Sequence, residues 1–178
     1  YTVSMKPIWV VGLALVVTGV FAQSTPAHSD VKEIAEKISK LRSLPDGERA
    51  TVTKELALRI RGLTPDQARV SMASGLANLA TEGDFGPGTL QEVTTTLAES
   101  LAAAPVKDPS GGVPYPYLQL AQLATFEHMQ VKLSDPNYTA ALAQVDATAK
   151  ARAAADFTLT DLTGTKWTRS ALKGKVVV

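Results

Sequence analysis

The spacing of apolar residues changes once along this chain, and that change limits what it can fold into. From Ser29 to Ala153 apolar side chains recur every three or four residues, the period that lines one face of an α-helix. At Phe157 and Leu159, interleaved with Thr158 and Thr160, the period drops to two, that of a half-buried strand. The expected fold is therefore mostly α, a bundle of about six helices, followed by the beginning of a β-containing unit.

Each helix carries its own start or stop signal. "SDVKEIAEKISKLRSL" puts Val31, Ile34, Ala35, Ile38 and Leu41 on one face, with Asp30 and Glu33 placed to close a capping box. A second helix starts at Asp46, carries Val52, Leu56, Ile60 and Leu63 as its stripe, and stops near Gly62. In the third, Thr64 is the expected N-cap, Pro65 the first helical residue and Gln67 the capping partner, with Gly83 at the end. A fourth opens at Thr89, with Glu92 three residues on, and gives way to Pro105 and the loop "KDPSGGVPYP". The fifth, "YLQLAQLATFEHMQVKL", is apolar over much of its circumference, which predicts a central position. A sixth follows Asp135 with Pro136 in its first turn; its weak apolar stripe predicts a surface helix or a connector. Short loops between these segments imply antiparallel neighbours. "LPDGERATVTKELALRIRG" and "LTPDQARVSMASGLANLAT" share a lead-in, but two copies are too few for a solenoid, so an irregular bundle is preferred.

Composition excludes several functions. Apolar residues make up 45% of the chain and charged residues 20%, the balance of an ordinary globular protein. The net charge is +1 and no stretch gathers Lys and Arg on one face, which argues against nucleic acid as a partner. There are 0 cysteines, so these residues hold no disulfide, no thiolate nucleophile and no Cys-based metal site.

The N-terminal stretch "MKPIWVVGLALVVTGVFAQ" has Lys6 ahead of an apolar run and compact residues, Val20 and Ala22, where a signal peptidase reads. Residues 1–22 are expected to be a signal peptide cleaved after Ala22, with "YTVS" before Met5 not part of it. A membrane anchor is the competing reading. The run is shorter than the ~20 apolar residues a span needs and lacks a basic flank behind it. The expectation is an exported, periplasmic or extracytoplasmic protein with no stable membrane span after cleavage, formally neutral once Lys6 is removed.

No residue of the helical stretch earns a catalytic, cofactor-binding or metal-binding assignment. "EGDFGPG", Glu82 to Gly88, spells the magnesium-binding Asp-Phe-Gly of kinases but has no phosphate loop or His-Arg-Asp segment, and reads as a helix-to-helix turn with a surface carboxylate. His28 lies in the N-terminal tail and His128 next to Glu127 on the fifth helix, where a packing role is expected, since neither has a second ligand at helical spacing. The Gly-x-Ser-x-Gly elbow is absent. Asn137-Tyr138-Thr139 is formally a glycosylation acceptor that is not expected to be used. No cofactor is implied.

After the helices, Phe157 to Thr160 and Lys166 to Thr168 can form a hairpin around the turn residues Asp161 to Gly164. Ser170 can cap a single turn through Ala171 and Leu172, Gly174 can supply a left-handed exit, and Val176 to Val178 read as a strand buried on both faces. In this order and spacing, "DFTLTDLTGTKWTRSALKGKVVV" resembles the entry hairpin and first core strand of the thioredoxin-like redoxins. That superfamily holds the AhpC/TSA peroxiredoxins and the TlpA and ResA type exported thiol-disulfide oxidoreductases. The residues that carry the resemblance are Phe157, Leu159, Asp161, Gly164, Leu172, Lys173, Gly174, Lys175, Val176 and Val177.

The capped helices are expected to form a helical domain over 23–153, and the resemblance implies the start of a truncated α/β thioredoxin-like domain over 154–178. It implies a parent protein that exchanges or reduces protein disulfides, or reduces peroxides, through cysteines downstream of Val178. In that family the strand leads to Trp-Cys-x-x-Cys at a helix N-terminus, whose dipole lowers the first cysteine's pKa. None of these residues matches that motif, so this cysteine-free chain is expected to be inactive. The alternative is a periplasmic helical module, over residues 30–153, that binds or positions a partner without catalysis. Oligomeric state, substrate and electron donor have no sequence signal.

Overall fold

The computed structural model describes residues 27–175, with side chains from Asp30 onward; the expected signal peptide, the side chain of His28 and the strand Val176–Val178 lie outside them. Among the described residues seven α-helices and one antiparallel hairpin follow one another: α1 (Ala27–Lys40), a 3-10 turn (Leu41–Ser43), α2 (Asp46–Arg61), α3 (Gln67–Ala80), α4 (Gly86–Ala103), α5 (Tyr115–Phe126), α6 (Pro136–Ala154), β1 (Thr158–Thr160), β2 (Lys166–Thr168) and α7 (Arg169–Leu172). A mostly helical chain ending in a two-stranded sheet is the expected fold class. No helix among the described residues is long and apolar enough to cross a membrane.

Helix starts depend on which oxygen reaches the free N–H groups of the first turn. At α3 it is Asp66, whose Oδ1 accepts from Arg69 N at 2.9 Å, and not Thr64. A carboxylate at the positive end of the helix dipole is the stronger cap, so the helix begins two residues later than the Thr-Pro signal indicates. At α4 the order is reversed: Asp84 Oδ1 accepts from Gly86 N at 3.1 Å, Gly86 adopts φ 74°, and Pro87 sits in the first turn, so the helix starts before Thr89. Asp30 is interior to α1 rather than its cap, and Glu33 is taken by Arg59 and Lys37. Asp46 is the first residue of α2 and makes no side-chain cap. Asp135 caps α6 through Asn137 N at 2.7 Å, with Pro136 in the first turn as expected.

The fifth helix is shorter than its apolar run. It stops at Phe126, His128 turns left-handed at φ 56°, and Met129 N donates back to Leu123 O. Beyond it Met129, Val131 and Leu133 are half-buried while His128, Gln130, Lys132 and Ser134 are exposed. A helix would scatter these three apolar residues around its cylinder; alternation turns all of them toward the bundle. Gln91 on α4 pins this segment, its Oε1 accepting from Gln130 N at 2.9 Å and its Nε2 donating to Gln130 O at 2.8 Å.

Among the described residues the core is built by α1 to α6, with Leu41 of the 3-10 turn and Phe85 from the loop before α4. Ile34, Leu41, Leu56, Ile60, Leu76, Leu97, Leu101, Tyr117, Leu120 and Leu123 are each at most 1% exposed. Ala57, Ala73, Ala77, Ala98, Ala121 and Ala141, also buried, let the helices approach closely. The central helix is α4, which packs against α2, α3 and α5, whereas α5 lies between α4 and α6. Only Tyr138, Ala141 and Val145 of α6 are buried, in keeping with its weak stripe, while Thr148 and Arg152 in its second half line a shallow groove with Leu118, Gln122 and Phe126 of α5.

The hairpin has the expected strands, in the register Thr158↔Thr168, Leu159↔Trp167 and Thr160↔Lys166. Its expected half-burial is absent: Phe157 is 41% and Leu159 60% exposed, because no bundle helix packs on that face. The short helix after it is capped by Thr168, whose Oγ1 accepts from Ala171 N at 3.2 Å, rather than by Ser170.

Candidate functional site

The most densely bonded polar group of the C-terminal unit is Asp161, at the first position of the hairpin turn. Its Oδ1 accepts from Thr163 N (2.9 Å), Thr163 Oγ1 (2.7 Å) and Thr165 N (2.9 Å), and its Oδ2 accepts from Trp167 Nε1 at 2.9 Å. Asp161 N closes the turn on Thr165 O, and Gly164 takes φ 85°, which glycine adopts without a Cβ clash. Hydrogen bonds from Thr163, Trp167 and Thr165 hold the carboxyl down to about 2. Asp161 is thus an ionised acceptor whose four bonds go to the turn and to the Trp167 ring.

Between the end of α6 and α7 lies an open cleft of about 540 Å³ lined by Ala154, Asp156, Arg169, Ser170, Leu172 and Lys173. Arg169 spans it, its Nη1 donating to Ala153 O and, at 2.8 Å, to Ala155 O. Ser170 Oγ bonds Thr168 Oγ1 at 2.9 Å and faces no general base, so the cleft lacks the nucleophile–base pair that acyl transfer needs. Its functional groups are two cations and one carboxylate around a helix end.

The sequence candidates stay apart. His128 is exposed at a helix exit instead of packed on α5, because its left-handed backbone carries the side chain out of the apolar stripe. In the Asp-Phe-Gly turn, Asp84 is exposed and caps Gly86, while Phe85 is buried under the Arg49 guanidinium, 6.0 Å from the ring centroid. Glu82 there pairs with Arg42 across two hydrogen bonds of 2.8 and 2.5 Å. Asn137 and Thr139 flank a buried Tyr138 on the first turns of α6. Among the described residues no group of three or more His, Cys, Asp or Glu side chains is placed to hold a metal.

Two polar networks, one centred on the buried Thr96 and Ser100 and the other on the buried Ser74 and Gln119, carry no sequence signature. Along α4, Glu92, Thr96 and Ser100 form a ladder one turn apart: Arg61 of α2 pairs with Glu92 and donates from Nε to Thr96 Oγ1 (3.0 Å), and Arg69 of α3 donates from Nε to Ser100 Oγ (3.1 Å). Between α3 and α5, Ser74 donates to Gln119 Oε1 at 2.7 Å, Gln119 Nε2 donates to Ser74 O (3.0 Å) and to Asn78 Oδ1 (2.6 Å), and Tyr115 OH reaches the same Asn78 oxygen at 2.8 Å. Tyr117 OH donates to Asp135 Oδ2 at 3.1 Å; burial first, then the Asp135 charge and hydrogen bond, raise its pKa. These groups satisfy one another across helix interfaces, which is a packing role.

No family model, curated protein or solved structure matches the chain.

Proposed function

We propose that this chain is the N-terminal part of an exported thioredoxin-like redoxin, in which the helical bundle precedes the entry hairpin of the redox domain. The observation that carries the reading is the C-terminal unit itself: a hairpin with its turn tied by Asp161, a capped single turn, and a left-handed Gly174 at φ 80°. These are the positions through which the sequence resembles that superfamily. The chemistry would belong to cysteines outside these residues: a thiolate attacks a disulfide sulfur, the leaving thiolate takes a proton, and a second cysteine resolves the mixed disulfide. The substrate would be a protein disulfide, or a peroxide in the peroxiredoxin variant, with no cofactor.

The test is to express the 178-residue chain beside the product of the gene read past Val178. The chain alone is expected to reduce neither insulin disulfides nor hydrogen peroxide. The extended protein is expected to carry a Cys-x-x-Cys or peroxidatic cysteine soon after the valines and to lose activity when it becomes serine. Insulin reduction by the chain alone, or an extended gene without cysteine, overturns the reading.

A second reading, a helical module that docks or positions a partner, is favoured by the closure of the bundle core without the hairpin. It gains ground if the gene stops at Val178.

A further inference from the structure

Among the described residues, the hydrogen bonds between the helical bundle and the C-terminal unit come from one side chain. Past Val145 the described part of α6 buries no residue, and neither strand packs against a bundle helix. Among the described residues, every hydrogen bond from residues 158–175 to residues 30–155 comes from Arg169, whose Nη1 donates to Ala153 O and Ala155 O. Its own backbone N donates to Phe157 O at 3.3 Å, so the same residue also joins the short helix to the base of the hairpin.

The two accepting carbonyls lie at the C-terminal end of α6, where no further turn of helix supplies donors and where the negative end of the helix dipole sits. A guanidinium meets both needs, being permanently charged and carrying several donors on one rigid plane. The surrounding charges pull in both directions. Arg152 in the last turn of α6 and Lys173 across the cleft repel Arg169, while Asp156, whose Oδ1 accepts from Phe157 N at 2.9 Å, attracts it. All of this is solvent-exposed, so the attraction is open to screening by salt.

We propose that Arg169 is a salt-sensitive clasp that sets how the C-terminal unit sits on the bundle. Closed, it caps α6 and fixes the hairpin to the helix end. Open, it leaves the two units joined only by the stretch from Ala155 to Phe157, and the last turn of α6 frays. The clasp is independent of the redox reading, since it rests on the helix end and one guanidinium.

Trypsin reads the clasp directly, because cleavage after Arg152 requires the last turn of α6 to open. On the full chain, Arg169→Gln is expected to speed that cut about two- to five-fold, the range set by charge–dipole energies, and Arg169→Lys to fall between it and the parent. Raising salt should accelerate the cut in the parent and leave Arg169→Gln unmoved. The cut after Lys54, inside α2, serves as the control and should keep its rate. The Trp167 indole N–H resonance reports the hairpin in the same samples. Equal rates at Arg152 with no salt response overturn the clasp, as does loss of the Trp167 resonance in Arg169→Gln, which would make Arg169 part of hairpin folding instead of a tie between two formed units.

Discussion

A single carboxylate ties the hairpin turn to the Trp167 ring. Asp161 accepts four hydrogen bonds, from two backbone N–H groups, one threonine hydroxyl and the Trp167 indole, and these hold its carboxyl down to about 2, below the ordinary 3.8. A carboxyl whose folded pKa lies below its unfolded value stabilises the fold above that unfolded value and ceases to do so as pH falls through the folded one. The Trp167 indole N–H resonance is therefore expected to stay dispersed down to about pH 4 and to collapse toward its random-coil position between about pH 4 and 2. Asp161→Ala should show the collapsed position already at pH 7, and a dispersed resonance in that variant would refute the assignment. Glu33 is held down to about 2 by Arg59 and Lys37, so the tie between α1 and α2 loosens in the same window; helical circular dichroism separates it from the hairpin signal.

Between elements, the buried amide of Gln119 joins α3 to α5. Gln119, itself 4% exposed, accepts from the buried Ser74 Oγ and donates to Ser74 O, so Gln119→Ala is expected to cost about 1–3 kcal/mol, read as a lower urea midpoint at unchanged slope. A midpoint within error of the parent would show the network to be dispensable. The elements differ in how far the sequence discloses them. The existence of six helices and the strand positions of the hairpin are local properties, set by period and turn chemistry, and they are legible. Cap choice is less so: Thr64-Pro65-Asp66 offers two acceptors, and only the three-dimensional path selects Asp66. The run from His128 to Leu133 carries a period-two pattern in plain view at Met129, Val131 and Leu133, but it adjoins a strong helical stretch and is easily absorbed into it. Burial of Phe157 and Leu159 was not legible, because the pattern shows which face is apolar and not what lies opposite. The polar networks are the hardest case: Arg69 meets Ser100 across 31 positions and Ser74 meets Gln119 across 45, distances that leave no local trace. For the functional site the sequence names no residue, and the resemblance supplies scaffold positions only.

Taken whole, the molecule is a closed helical core with a small unit attached. Among the described residues every core residue lies between Ile34 and Val145, so deleting residues 156–178 is expected to leave the cooperative melt of the bundle within about 0.5 kcal/mol of the parent, apart from fraying at the end of α6. Loss of cooperative melting in that deletion would show that the two units share their stability. The order in which the helices pack has a further consequence, in time. Each one finds its main partners among the next one or two along the chain, α1 with α2 and α3, α2 with α3 and α4, α3 with α4 and α5, α4 with α5, and α5 with α6. Few long loops must close before packing begins, which places the bundle among folds that form on the order of microseconds to milliseconds. Synthesis adds only about 5–20 residues per second. A nascent chain thus has its bundle assembled well before the residues after Ala155 are available, and the hairpin is added to a finished support.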